Sequence, residues 1–158
     1  GYLMFCCPRP VSAEALEGRV TAGHWPKEKE ARVKFIFRLD ENGAKRTQYS
    51  RGHPSLKGRV LFTNADPGTA EAAILIRNDP RTDPIRALVK KGYIVRTRAD
   101  SDVEEARKND QSRFREACSS GAQIITTDYY QKSAFFNSDY EISFPDRKYV
   151  RVDSALVN

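Results

Sequence analysis

At 158 residues, with 39% hydrophobic and 30% charged side chains, the chain is long enough for one domain with a buried core. It is too short to hold an ordinary eight-stranded α/β barrel, which takes roughly 250 residues. No apolar run approaches the ~20 residues that span a bilayer. The net charge of +6 favours anionic partners such as phosphates or acidic lipid surfaces.

Gly1 to about Val20 shows no strong period and reads as an irregular lead-in, with no basic leader before its short apolar start. Pro26 to Arg32 predicts a short helix with proline in its first turn, and Val33 to Asp40 predicts a strand ending in a carboxylate. After the turn Glu41-Asn42-Gly43, Ala44 to Arg51 can form a short helix and Arg59 to Asn64 a second strand. Ala72 to Ile76 is an apolar run open to either reading. Pro84 to Lys91 predicts a helix with Ile85, Leu88 and Val89 on one face, closed by Gly92. Tyr93 to Ala99 follows as a strand.

Ser101 and Glu104 have capping-box spacing, and Val103, Ala106, Phe114 and Ala117 mark the stripe of a long helix ending near Gly121. Gln123 to Asp128 is the next strand, and Ile142 to Phe144 and Tyr149 to Val152 suit short edge strands. Strands alternating with helices at this spacing imply right-handed crossovers and a parallel sheet, so the fold class is α/β.

Alternation along each strand sorts side chains into a core face and a site face. Tyr93, Val95, Thr97 and Ala99 share one face of their strand, and Ile94, Arg96, Arg98 and Asp100 share the other. The same sorting groups Thr126, Asp128 and Tyr130, and sets Ile36, Arg38 and Asp40 against Phe35, Phe37 and Leu39. Ligands of parallel α/β folds bind at the carboxyl ends of strands, where Asp40, Asn64, Arg98, Asp100 and Asp128 fall. The functional reading is an anion site in which Arg96 and Arg98 grip phosphate while carboxylates hold hydroxyls or a cation. The competing reading is internal ion pairing of those arginines with Asp100, Asp128 or Asp40.

Other residues carry less chemistry. His24 beside Trp25 and His53 before Pro54 read as structural. Asp110 reads as an ion-pair partner of Arg107 or Arg115. Cys6, Cys7 and Cys118 give neither a disulfide framework nor a metal spacing. Lys and Arg are spread without a block, and no zinc finger or RNP motif is present, so nucleic acid is not an expected partner.

The stretches HPSLKGRVLFTNADPGTAEAAILIRNDP, KKGYIVRTRADSDVEEARKNDQSRFREACSSGAQIITTDYY and KFIFRLDENGAKR together resemble the calcium-dependent phosphoinositide-specific phospholipase C-like family. The resemblance covers most of the chain from about Trp25 to Tyr130. It implies a TIM-type (β/α) phosphodiesterase barrel of which this chain, over residues 21–158, matches the C-terminal half, with about four to five parallel strands and flanking helices. The family's histidine pair and Ca²⁺ site come mainly from the N-terminal half and have no counterpart here, and Arg38 stands where the family's strand is apolar.

The implied chemistry is that of a phosphoric diester hydrolase. A base deprotonates an inositol hydroxyl, that oxygen attacks phosphorus, and an acid protonates the departing diacylglycerol oxygen. By the resemblance this chain supplies the phosphate- and inositol-binding half and is inactive alone. Arg96 or Arg98 would contact phosphate, Asp100, Asp128 and Tyr130 would line the substrate, and Asp40 would support the cation or ring. No catalytic residue is assigned. The expected cofactor is Ca²⁺, and the expected partners are a phosphoinositide or other phosphodiester, an anionic membrane surface, and either the missing half-barrel or a second copy. The alternatives are a non-catalytic half-barrel that binds phosphorylated headgroups and a glycerophosphodiester phosphodiesterase-like enzyme. A secreted location suits the full-length family.

Overall fold

The computed structural model describes residues 15–152, and the chain divides into two units, Gly1–Ile76 with Lys90–Ile94 and Arg77–Val89 with Val95–Asn158. Cys6, Cys7 and most of the expected lead-in lie outside the described residues. The remainder of that lead-in is not irregular. Helix α1 (Leu16–Thr21) buries Leu16 and Val20, and six residues are too few to display a helical period in sequence.

In the first unit, α2 (Glu28–Ala31) and α3 (Gly43–Ser50) fall where proline and the Asn42-Gly43 turn place them. Strands β1 (Arg38–Leu39) and β2 (Phe62–Thr63) pair in parallel, Arg38 opposite Phe62 and Leu39 opposite Thr63. The expected strand from Val33 is thus reduced to its last residues. Val33 has a φ of 58°, and Phe35, Ile36 and Phe37 are all exposed, so Phe35 and Phe37 do not form the core face that alternation assigns them. The ladder with β2 extends back only to the N–H of Phe62 on the carbonyl of Phe37, and the positive φ of Val33 breaks the extended backbone at its start. Tyr49 fixes the approach to β2: its hydroxyl accepts the N–H groups of Val60 and Leu61 at 3.1 and 2.7 Å. The Arg59 guanidinium covers its ring at 4.8 Å.

Strand β3 (Ile74–Ile76) resolves the ambiguous apolar run, with Ile74 and Leu75 buried. The N–H of Ile94 bonds the Ala73 carbonyl. Gly92, at φ 96°, turns the chain against α1 so tightly that a Cβ there would lie 2.5 Å from the Val20 carbonyl oxygen. Tyr93 is buried, accepts the Gly68 N–H at 3.1 Å and donates to Glu17 Oε1 at 2.5 Å.

In the second unit, Ile85, Leu88 and Val89 of helix α4 (Ile85–Lys90) are buried as one stripe. Strands β4 (Ile94–Arg98) and β5 (Ile124–Thr126) pair in parallel, with Arg96, Thr97 and Arg98 opposite Ile124, Ile125 and Thr126. The expected long helix is two helices, α5 (Glu104–Lys108) and α6 (Ser112–Ser119). Asn109 ends α5 in the left-handed conformation at φ 51°, and the Asp110 carboxylate accepts the Ser112 N–H at 2.8 Å to start α6. Asp110 therefore bonds the first N–H of a helix, and among the described residues the Arg115 charge expected as its partner acts on it without a contact ion pair. The Ser101–Glu104 capping box does not form either. Buried Glu105 accepts the Ser101 N–H at 2.9 Å, while exposed Glu104 reaches Lys108 at 2.5 Å.

The expected edge strands at 142–144 and 149–152 are not formed; that segment contributes one antiparallel bridge, Phe144 to Lys148. Ile142 of that segment and Tyr140 just before it go into the core instead. Tyr140 and Ile142 pack with Ala99, Ala106 and Tyr129, and Phe114, Ile125 and Phe136 surround them. The α/β class and parallel pairing are as expected, and no closed barrel is formed within either unit among the described residues. No helix among those residues is long and apolar enough to cross a membrane.

Candidate functional site

Alternation along β4 is obeyed up to Ala99. Val95, Thr97 and Ala99 are fully buried, and Ile94, Arg96 and Arg98 are half-buried on the opposite face. Both arginines are thereby aimed away from the core. Arg96 is held by the Asn78 side chain at 2.6 Å, and Arg113 Nη2 donates to the Asn78 carbonyl at 2.9 Å. Asn78 and Arg113 are a support that sequence reasoning missed. Asn78 lies in an ordinary loop sequence, Arg-Asn-Asp-Pro, and carries no signal of its own.

Asp100 departs from the pattern. It shares the parity of Arg98 yet is 1% exposed, because the chain leaves strand geometry after Arg98. Its carboxylate accepts a hydrogen bond from Thr127 Oγ1 and one from the Asp128 N–H. Burial pushes its pKa above the ordinary carboxylate value, and the Asp128 charge adds to that. The two hydrogen bonds and the nearby Arg98 charge oppose the shift without cancelling it. Asp100 is thus a buried acceptor joining the end of β4 to the loop after β5, not an open member of the rim. Thr127, its donor, was missed because alternation assigns it to the core side.

Asp128 and Tyr130 are exposed, as a binding role needs, and the Tyr130 carbonyl accepts the Tyr149 hydroxyl at 3.0 Å. Tyr129, between them, turns inward and stacks edge-on against Tyr140 at 5.4 Å. Burial raises the Tyr140 pKa, with the charges of Asp100, Glu105 and Asp110 adding to it, so its hydroxyl stays protonated. Arg98, Asp128 and Tyr130 therefore form the accessible part of the second unit's rim, with Arg96 tied to Asn78 beside it.

In the first unit Asp40 is exposed and lies 3.2 Å from the Arg38 guanidinium. Asn64 accepts the Ile76 N–H at 3.2 Å and donates to the Asn42 side chain at 3.1 Å, a structural use of both ends of its amide. His53 Nδ1 is bonded to the Lys57 carbonyl of its own turn, consistent with its structural reading.

A model of the family described as phosphoinositide phospholipase C, Ca²⁺-dependent, matches residues 8–154. The chain belongs to that family. No curated protein and no solved structure matches it. The family's Ca²⁺ dependence can be held against the donors of this phospholipase C-family chain. Among the described residues no three His, Cys, Asp or Glu side chains come together as a metal-binding group. Ca²⁺ takes 6–8 oxygen ligands. Asp40, beside Arg38, offers one carboxylate, so the described residues do not make up a Ca²⁺ site.

Proposed function

We propose that this phospholipase C-family chain supplies the headgroup-binding side of a phosphoinositide-cleaving site. Arg98 contacts the phosphate, and Asp128 and Tyr130 hold inositol hydroxyls. Arg96 and Asp100 position that rim, Arg96 through Asn78 and Asp100 through Thr127. The observation that carries the reading is the turning of Arg98 out of the core at the carboxyl end of β4, in register with β5, whose following loop exposes Asp128 and Tyr130.

The chemistry follows from charge. A phosphodiester under attack gathers negative charge on its non-bridging oxygens, and a preorganised guanidinium offsets it. Arg98 suits this because a planar fork can give two parallel N–H bonds to phosphate. Asp128 accepts from ring hydroxyls, and the exposed Tyr130 ring offers a face to the apolar side of the sugar. Proton transfer is not assigned to these groups. Asp100 is already committed as an acceptor, and Tyr140 is buried and protonated. No step is routed through Ca²⁺. Alone, the chain binds the headgroup without turning it over.

The test is Arg98→Ala in the intact enzyme, with phosphatidylinositol and glycerophosphodiesters offered separately. Turnover of phosphatidylinositol should fall at least about tenfold. Near-normal activity would remove Arg98 from the site, and preferential loss on glycerophosphodiesters would move the reading to that substrate class.

A further inference from the structure

A cavity of about 470 Å³ in the second unit lies between the end of α5 and the loop that follows Gln131. Its volume is in the range of small-ligand sites, roughly 300–1,000 Å³. Three cations, Arg107, Lys108 and Lys132, line it against one carboxylate, Asp139. Arg107 lies over the Phe136 ring at 4.8 Å and has no carboxylate within 4 Å among the described residues. That contact holds the guanidinium over the ring face while its N–H groups can bond elsewhere.

Two hydroxyls of the lining are held in place as acceptors. Ser133 Oγ accepts the Phe135 N–H at 3.1 Å, and Ser138 Oγ accepts the Tyr140 N–H at 3.2 Å. Each hydroxyl keeps its own proton for donation. Lys132 and Lys108 are engaged with Asp139 at 2.7 Å and Glu104 at 2.5 Å, but these are exposed pairs. Solvent screens exposed pairs and leaves them weak, so an incoming dianion can take over the ammonium groups. A donor-rich cavity with an excess of positive charge selects for a compact anion with several acceptor oxygens.

We propose that this cavity binds a phosphate monoester, at a site separate from the Arg98 rim. Two sources of that group fit: a soluble phosphorylated metabolite or the headgroup of an anionic lipid. Phe135, on the same loop, is 93% exposed, which favours a lipid surface as the source.

Calorimetric titration of the 158-residue chain with glycerol 3-phosphate tests the site. Arg107→Gln should weaken binding about tenfold and Lys132→Gln at least about threefold. Arg98→Ala should change it less than about twofold. A second arm compares phosphatidylcholine vesicles with and without phosphatidic acid. Retention by phosphatidic acid that is lost in both Arg107→Gln and Phe135→Ser identifies the lipid source. Arg107-dependent binding of glycerol 3-phosphate without vesicle retention identifies the soluble one. If neither probe binds, or if binding follows Arg98 and ignores Arg107 and Lys132, the proposal is overturned.

Discussion

Replacing Gly92 by alanine places one methyl group where the structure leaves no room. The new Cβ would sit 2.5 Å from the Val20 carbonyl oxygen, 3.1 Å from Thr21 Cα and 3.3 Å from the Val20 carbonyl carbon, all backbone atoms of α1 or its neighbourhood. Backbone cannot yield as a flexible side chain can. A φ of 96° is itself foreign to alanine, which costs about 1–2 kcal/mol. Overpacking adds about 1–3 kcal/mol, for a total of about 2–5 kcal/mol. With a urea slope of about 2 kcal/mol per molar, the unfolding midpoint of the first unit should fall by roughly 1–2.5 M. Trp25, the one tryptophan of the chain, donates to the Gly92 carbonyl at 2.7 Å and reports this unit by fluorescence. Gly68→Ala is the control. Its φ is 85°, but nothing lies within 4 Å of the added methyl, so it bears the conformational cost alone. If Gly92→Ala loses no more stability than Gly68→Ala, the close approach of Gly92 to α1 is not a packing constraint.

Two buried or capping carboxylates should respond to pH with opposite sign. Asp100 binds its proton more tightly folded than unfolded, because burial outweighs its hydrogen bonds. Its contribution therefore declines as pH rises from the ordinary value of about 4 through the raised one, and Asp100→Asn should gain on the parent protein over that window. The Asp110 pKa is lowered, first by the Ser112 N–H and then by the Ser112 hydroxyl. Its stabilisation is present above the ordinary value and lost as pH falls, so the deficit of Asp110→Asn should narrow towards acid pH. Amide exchange in β4, β5 and α6 at a series of pH values measures both, and matching slopes for the two variants would contradict the assignments. Tyr93→Phe strands the Gly68 N–H and the Glu17 carboxylate together, and should cost about 1–3 kcal/mol by Trp25 fluorescence. A loss under about 0.5 kcal/mol would mean that water replaces the hydroxyl.

The helices and strands that were legible in sequence are those whose signal is local. Gly92 closing α4, the apolar stripe of Ile85, Leu88 and Val89, and the alternation of β4 each depend on a few adjacent residues. Strand length was not legible, since it depends on the partner. Val33 to Phe37 has the composition of a strand, yet among the described residues the pairing with β2 takes in only Arg38 and Leu39. The break between α5 and α6 had a signal that an apolar stripe concealed: Asn109 and Asp110 are a left-handed former followed by a capping residue. In the tail, Ile142, expected on an edge strand, packs instead with Tyr140 into the core around Tyr129.

The rim shows why alternation finds a site more readily than it finds the site's exposed surface. It correctly placed Arg96 and Arg98 away from the core, because both lie inside β4 where the period of two holds. It failed at Asp100, one residue beyond Ala99, because the period ends with the strand and the carboxylate is free to turn inward. That failure has a use. A carboxylate buried beneath Thr127 and the Asp128 N–H ties the loop after β5 to the end of β4, so the positions of Asp128 and Tyr130 depend on a charge that no ligand reaches. Burying a charge is costly unless its acceptors are satisfied, and here the donors come from the segment that must be held. Arg98 lies close enough to lower the cost by its charge while keeping its side chain half-exposed. On the proposed reading, the same guanidinium serves the buried carboxylate at long range and an incoming phosphate at close range, without exchanging one for the other.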